Sequence, residues 1–256
     1  MNKKLLQFAS MLLMAICLCM NFTACADDDE KEEDIPQDPY NGYAYVDLGL
    51  PSGVKWATCN VGAENPWEYG DYFAWGETKP KSVYDWSTYL DGNITDEGDC
   101  GTNKDLLRFI TDIKGTQYDA AHVNMGGSWR MPTKSEQDEL RNNCYWEWVA
   151  DYNGKGVSGY IVYKAKDASD KGNRKYSGFS TTTAASYSLI DAHIFLPTAG
   201  YRDESDLNNV GFYGSYWSSS SYNPSFAHYL GFESDNVDWN YCYYHRYGRS
   251  VRGVCK

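Results

Sequence analysis

The last quarter of the chain concentrates side chains suited to binding a ligand. Tyrosine, serine, glycine and asparagine are its commonest residues, and tyrosine is abundant throughout, with 23 among 256 residues. Tyrosine offers a rigid amphipathic ring at low entropic cost and asparagine offers adaptable hydrogen bonds, so this composition is typical of binding surfaces. Tyrosine and tryptophan rings also stack on sugar rings. We predict a ligand-binding surface formed by Tyr222, Asn223, His228, Asp238, Trp239, Asn240, Tyr241, Tyr243, Tyr244 and His245.

One predicted strand carries most of these candidates, and its two faces have different members. Successive side chains of a strand point to opposite faces. One face holds Val237, Trp239, Tyr241 and Tyr243, and the other holds Asp238, Asn240, Cys242 and Tyr244. Packing needs only one apolar face, so two faces rich in Tyr, Asn and Asp favour a binding role. The alternative is an ordinary solvated sheet surface.

Patterns typical of catalysis or of metal binding are weak. The four histidines lie in no Ser/His/Asp or Cys/His arrangement. The cysteines have no Cys-x-x-Cys spacing suited to zinc. Asp235, Asn236, Asp238 and Asn240 offer oxygens of the kind that calcium prefers, but surface solvation is the favoured interpretation. The sequence therefore predicts no catalytic residue, no metal, no cofactor and no enzymatic activity.

The N-terminus carries a different chemistry, that of export and lipidation. A short basic start precedes the apolar run Leu5–Met20, which has the length of a secretory signal and is short for a membrane span. The run leads into Phe22–Cys25, which resembles the lipobox of bacterial lipoproteins, although its first residue is not the usual Leu. The resemblance implies a signal peptide over 1–24 and fatty acylation, such as palmitate, on Cys25. The alternative is ordinary secretion with cleavage near Ala26.

An acidic block follows the lipobox. Residues 25–40 are predicted to form the lipidated cysteine and a tether, because the charges of Ala26–Asp34 repel one another and cannot be buried. The block also resembles the export signal that directs lipoproteins to the outer face of some Gram-negative anaerobes. We expect a lipid-anchored protein on the outer membrane, exposed at the cell surface, with the lipid as its only membrane contact.

Export also places the cysteines in a compartment where disulfides form. With the signal removed and the lipobox cysteine acylated, five remain, namely Cys59, Cys100, Cys144, Cys242 and Cys255. An odd number leaves at least one thiol unpaired or intermolecular. Disulfides are expected, and their pairing is left open.

The net charge of the chain limits the classes of molecule that it is expected to bind. There are 35 acidic residues against 23 Lys and Arg, a formal net charge of −12. Nucleic-acid binding requires a cationic face, so this balance argues against a nucleic-acid partner. The expected partner is a glycan or a protein at the cell surface.

The mature chain is predicted to form one α+β domain, residues 41–256. Hydrophobic residues make up 42% of the chain, enough for a core, and no Ser/Gly/Pro-rich linker divides it. Short strands predominate. The predicted strands are Tyr43–Leu50 and Val54–Val61, a hairpin about Pro51–Gly53, followed by Val157–Ala165, His193–Leu196, Gly214–Ser219, Phe226–Phe232, Val237–Tyr244 and Arg249–Val254.

Two helices interrupt the strands. The first is capped by Thr102, has apolar residues at helical spacing and ends at Gly115. The second begins with a capping box in which Thr133 and Glu136 bond each other's backbone amides. The polar stretch Lys166–Ser188 is predicted to be a long loop.

Seven segments together resemble the Fibrobacter succinogenes major paralogous domain, a family of secreted and lipid-anchored proteins. These segments are Val46–Gly53, Trp56–Ala63, Tyr69–Glu77, Gly126–Thr133, Phe195–Arg202, Tyr216–Ser220 and Tyr247–Arg252. They occur in the family's order and cover nearly the whole mature chain. The resemblance implies a C-type-lectin-like fold, with small twisted antiparallel sheets, two helices and long loops. It also implies an extracellular binding or adhesive role, and the family offers no catalytic residues to transfer.

The large side chains of these segments are predicted to be structural. Trp56, Trp75, Trp129 and Trp217 are expected to anchor the core rather than contact a ligand, because large rings dominate small cores. Arg130 and Arg249 are expected to pair with buried carboxylates or backbone carbonyls rather than to receive anions.

The resemblance leaves several functions open. Lectin-like domains can be the variable proteins of diversity-generating retroelements, and the C-terminal composition is similar to theirs. An adenine-rich near-copy of the gene's end in its 3′ flank would identify such a system. The triplet that calcium-binding lectins use is absent, since Tyr222-Asn223-Pro224 lacks a preceding carboxylate. The alternative to a binding protein is a structural subunit of a cell-surface assembly.

Overall fold

The computed structural model describes residues 40–90, 110–180 and 186–256, apart from the side chains of 238–240. These residues belong to one compact unit, Asp34–Lys256. The predicted signal peptide over 1–24, Cys25 with the acidic tether up to 39, and Cys100 lie outside the described residues.

The described elements are two α-helices, one 3-10 turn and thirteen short strands. In chain order they are β1 Tyr45–Val46, β2 Lys55–Asn60, α1 Ala120–Met125, α2 Lys134–Asn143, β3 Cys144–Val149, the 3-10 turn Tyr152–Gly154, β4 Gly159–Lys164, β5 Arg174–Tyr176, β6 Phe179–Ser180, β7 His193–Pro197, β8 Tyr201–Asp203, β9 Asp206–Asn208, β10 Gly214–Asn223, β11 Phe226–Glu233, β12 Asn236–Tyr244 and β13 Arg252–Cys255. This part of the chain is α+β, as predicted.

The strands form four small sheets within the described residues, ordered β1-β2-β13, β6-β5-β3-β4-β7, β8-β9 and β10-β11-β12. Neighbouring strands are antiparallel except β3 and β5, which are parallel. The predicted hairpin about Pro51–Gly53 is confirmed, with Val46 opposite Trp56, although its strands are shorter than expected. Strand β13 joins the other edge of β2, with Arg252 opposite Asn60. The two ends of the described chain therefore meet in one sheet.

The helix α2 begins as the sequence predicts. Thr133 accepts a hydrogen bond from the Glu136 amide and the Glu136 side chain accepts one from the Thr133 amide, which completes the capping box. The helix ends at Asn143, and Cys144 starts strand β3.

The other predicted helix is wrong at its C-terminal end. Residues 110–115 are not helical, and the Ile113 amide donates to the Ser219 carbonyl at 3.0 Å. Residues 102–109 lie outside the described residues. The observed helix α1 was not predicted, because six residues are too short to show a helical period. It is capped by Asp119, whose carboxylate also accepts hydrogen bonds from the amides of Met131 and Gly115.

The predicted loop Lys166–Ser188 is also wrong in part. It contains β5 and β6, which extend the five-stranded sheet beyond β3. Two strands of two and three residues leave little alternation in a polar sequence, and the pairing is set by β3, where Trp146 lies opposite Arg174.

The predicted tryptophan anchors are confirmed. Trp56, Trp75, Trp129 and Trp217 are each at most 1% exposed. Their burial is reinforced by hydrogen bonds at 2.9 Å from the indole nitrogens of Trp75 to the Ser218 carbonyl and of Trp217 to the Phe73 carbonyl. These bonds tie the loop containing Phe73 and Trp75 to β10.

The cysteines form no disulfide within the described residues. Cys59, Cys144, Cys242 and Cys255 are all free thiols there. Burial raises the pKa of the Cys144 thiol to about 12, so it stays protonated. Among the described helices, none has the length and apolar character needed to span a membrane.

Candidate functional site

The three-stranded sheet β10-β11-β12 gathers aromatic side chains on one face. Trp217, Tyr229 and Tyr241 lie opposite one another on the three adjacent strands. Side chains at opposed positions point to the same face and interact across the strands. The rings of Tyr229 and Tyr241 have centroids 5.7 Å apart, and those of Trp217 and Tyr229 lie edge to face at 5.9 Å.

This face opens into a cavity of about 310 Å³, which we call the tyrosine cleft. Its tyrosines come from five separate places in the chain, from β8 to the loop after β12, and are Tyr201, Tyr213, Tyr229, Tyr241, Tyr243 and Tyr247. The remaining lining residues are Asn209, Glu233 and Arg249. Tyr229 and Tyr247 are buried at its base, whereas Tyr243 is 37% exposed.

A glycine allows the wall of the cleft to close. Tyr213 precedes β10, and its hydroxyl reaches over β11 to the hydroxyl of Tyr229 at 3.2 Å. A Cβ atom built on Gly231 would lie 2.4 Å from the Tyr213 hydroxyl oxygen. Only glycine at 231 leaves room for this contact.

Arg249 lies at the base of the cleft with 3% of its surface exposed. Its backbone is fixed by two hydrogen bonds at 3.0 Å, one in each direction, with Phe73. The guanidinium carbon lies 3.7 Å from the Tyr229 ring centroid and 4.9 Å from that of Trp217. Within the described residues its one hydrogen bond runs from Nη1 to the Ser215 hydroxyl, and Nε has no partner.

The prediction for the two arginines is therefore right for one and wrong for the other. Arg130 forms an ion pair with Glu136 at 2.6 Å and donates to the Met131 carbonyl at 3.0 Å. Arg249 has neither a carboxylate nor a carbonyl partner among the described residues. Its guanidinium is surrounded by the rings of Tyr229 and Trp217 instead of by carboxylate or carbonyl oxygens.

The hydroxyl groups of Tyr201, Tyr213 and Tyr247 are uncharged. Burial raises the pKa values of Tyr201, Tyr213 and Tyr247 above their usual range. Neutral phenols both donate and accept hydrogen bonds. The charged lining residues are therefore Arg249 at the base and Glu233, which is exposed.

The predicted binding residues divide into several groups. Tyr241 and Tyr243 line the cleft. Tyr244 packs outside it, with its ring 4.4 Å from that of Phe226 and 5.8 Å from that of Trp86. The side chains of Asp238, Trp239 and Asn240 lie outside the described residues.

His245 is in the core and not on a binding surface. It is 1% exposed and its ring is stacked on Trp75 at 4.4 Å. Burial lowers the pKa of His245 to about 3, so the imidazole is neutral. The composition of this region predicted that His245 lies on the surface. In the fold it is covered by the ring of Trp75, a residue far away in the sequence.

Three further candidates lie away from the cleft. The ring of Tyr222 is 60% exposed and meets His228 edge to face at 5.4 Å. Desolvation, followed by the charge of Lys134 on α2, lowers the pKa of His228. Asn223 is a turn residue, because its side-chain oxygen accepts from the amides of Ser225 and Phe226 at 2.9 Å.

The sequence analysis did not select most of the cleft, namely Tyr201, Asn209, Tyr213, Tyr229, Glu233, Tyr247 and Arg249. Their tyrosines are part of the same compositional signal, but no local spacing unites them. The cleft offers ring faces, neutral hydroxyls and one buried cation, an arrangement suited to binding a small polar molecule.

Comparison of the chain with protein-family models, with curated proteins and with solved structures finds no match in any of the three.

Proposed function

We propose that this chain is a cell-surface lipoprotein whose domain, residues 41–256, binds a glycan or protein ligand in the tyrosine cleft without catalysing a reaction. The cleft is the observation on which the proposal depends. Six tyrosines line a cavity of about 310 Å³, which is at the small end of the range of ligand sites.

The rigidity of the cleft supports binding. Tyr229 is held between its cross-strand neighbours and the Arg249 guanidinium, and Tyr213 is hydrogen bonded to it. Side chains that are already ordered lose little conformational entropy when a ligand binds. Tyrosine rings supply apolar area and hydroxyls for hydrogen bonds, which suits a sugar.

The proposed fold is the C-type-lectin-like fold of the Fibrobacter succinogenes major paralogous domain. Its support is the order of the seven sequence segments, together with small sheets, two described helices and a sheet that joins the two ends of the described chain. Core tryptophans in these segments fit that proposal, since Trp56, Trp129 and Trp217 are all buried.

The proposed location is the outer face of the outer membrane, with the chain attached through lipid on Cys25. Its support is the sequence alone, namely the apolar run, the lipobox and the acidic block. Replacing Cys25 with Ala should abolish incorporation of labelled palmitate and release the protein from the membrane. Protease treatment of intact cells should degrade the wild-type protein, and survival of the protein would contradict surface exposure.

Binding is tested with glycan arrays and with host matrix proteins. The double variant Tyr241→Ala, Tyr243→Ala should lose binding, because both rings line the cleft. Tyr222→Ala is the matched control, since Tyr222 is an exposed tyrosine away from the cleft. Equal binding by the double variant and the control would reject the cleft as the site. Stable co-purification with one surface protein, and no binding to glycans or matrix proteins, would favour the structural-subunit alternative.

A further inference from the structure

The guanidinium of Arg249 is a buried cation for which the described residues supply few acceptors. Its single hydrogen bond goes to the neutral Ser215 hydroxyl, and Nε has no partner there. Buried charges in proteins are usually paired with an opposite charge or fully hydrogen bonded. The ring of Tyr229 stabilises the charge through its face, but it does not replace acceptors in the guanidinium plane.

We propose that the tyrosine cleft binds a sugar that carries one carboxylate, with the carboxylate on Arg249 and the sugar ring against the tyrosines. This inference rests on the proposed function and specifies its ligand class. The planar fork of a guanidinium matches the two oxygens of a carboxylate, and such charge-assisted pairs are stronger than neutral hydrogen bonds.

The shape of the cleft favours a sugar over a protein segment. Its volume of about 310 Å³ is suited to one or two rings. The phenols of Tyr201, Tyr213 and Tyr247 are neutral, so they donate to and accept from sugar hydroxyls.

The second charge of the cleft limits the charge of the ligand. Glu233 lines the cleft and is exposed. A carboxylate there repels a ligand with several negative charges, as on an acidic peptide or a phosphate. One carboxylate on an otherwise neutral ring places its charge at Arg249 and its hydroxyls elsewhere.

The test compares sugars that differ in that one group. Methyl β-D-glucuronide is titrated into the purified protein by calorimetry against methyl β-D-glucoside, and methyl α-D-galacturonide against methyl α-D-galactoside. We expect at least one acidic sugar to bind about tenfold or more tighter than its neutral counterpart. Arg249→Gln should remove that preference, Arg249→Lys should keep part of it, and Tyr222→Ala should keep all of it.

Glu233→Gln provides a variant that does not disturb the core, because Glu233 is exposed. It should strengthen binding of the acidic sugar, relative to the neutral sugar, by about twofold or more at low salt. If the Arg249 variants fail to fold, the sugar pairs and Glu233→Gln decide the question.

Equal binding of acidic and neutral sugars would overturn the inference while leaving the proposed function intact. Binding of an acidic peptide in place of every acidic sugar would overturn the ligand class. If no acidic sugar binds the protein, the inference fails. The proposed function then stands only if another glycan or protein binds and the Tyr241, Tyr243 double variant abolishes that binding.

Discussion

Two arginines three positions apart show how differently a buried cation can be used. Arg252 is 1% exposed and Arg249 is 3% exposed. Arg252 donates from Nε to the Asn60 side chain at 2.9 Å, from Nη1 to the carbonyls of Ala57 and Thr58, and from Nη2 to the Phe195 carbonyl at 2.8 Å. The Arg249 side chain has one hydrogen bond within the described residues and is otherwise surrounded by rings.

The difference separates a structural arginine from one suited to a ligand. The Arg252 fork connects β2 to β7, so its hydrogen-bonding capacity is used within the fold. Arg249 lines the tyrosine cleft, and its Nε has no acceptor among the described residues. Burial alone therefore does not show the role of a charged residue, and its acceptors must be counted.

The largest expected effect comes from making the same substitution at both positions. Arg252→Gln should lower the free energy of unfolding by about 3 kcal/mol, because it leaves buried acceptors of β2 and β7 without donors. Arg249→Gln should lower it by about 1 kcal/mol or less, since it loses one hydrogen bond and ring contacts. Urea unfolding followed by circular dichroism measures both. Equal losses would remove the distinction between the two residues.

His245 lies four residues before Arg249 and is also buried, but it is packed in the core rather than in the cleft. Burial lowers the pKa of His245 from an ordinary value of 6.5 to about 3, so the unfolded chain binds a proton that the folded chain does not. This contribution to stability is complete above pH 6.5 and is lost as the pH falls towards 3. Between pH 7 and pH 5 the loss should be about 2 kcal/mol.

His245→Phe should flatten this part of the pH dependence while keeping a ring on Trp75. The measurement is urea unfolding of both proteins at several pH values. Parallel curves for the two proteins would mean that His245 is not held neutral by the fold.

A substitution at Gly231 tests whether close packing of Tyr213 over β11 shapes the wall of the cleft. Gly231→Ala should destabilise the protein by about 1–2 kcal/mol and weaken ligand binding, because the new Cβ would lie 2.4 Å from the Tyr213 hydroxyl oxygen. Tyr213→Phe removes that oxygen, and the next atom of the ring is 3.1 Å from the Cβ position. The double variant should therefore cost less than the sum of the single variants. Additive costs in urea unfolding would show that the hydroxyl does not set this constraint.

The features that were predicted correctly from the sequence are those that depend on a few residues close together in the chain. The capping box of α2 and the hairpin about Pro51–Gly53 depend on residues close together in the chain, and both are confirmed. The cleft depends on residues from Tyr201 to Arg249 in five places, so no period or spacing could assemble it. Composition found the tyrosine-rich region but could not separate Tyr243, which lines the cleft, from His245, which is stacked on Trp75.

The smallest expected effect on stability and affinity comes from Arg246. It is a useful comparison with Arg249 because it also contacts a tyrosine of the cleft. Its guanidinium carbon is 4.4 Å from the Tyr247 ring centroid, but Nη1 is already paired with Asp203 at 2.5 Å. Partly exposed ion pairs contribute little, so Arg246→Gln should cost about 1 kcal/mol or less. Affinity for an acidic sugar should change less than about twofold, because screening weakens the charge of an already paired group. A loss as large as that of Arg249→Gln would show that net positive charge near the cleft, and not unused guanidinium donors, attracts the ligand.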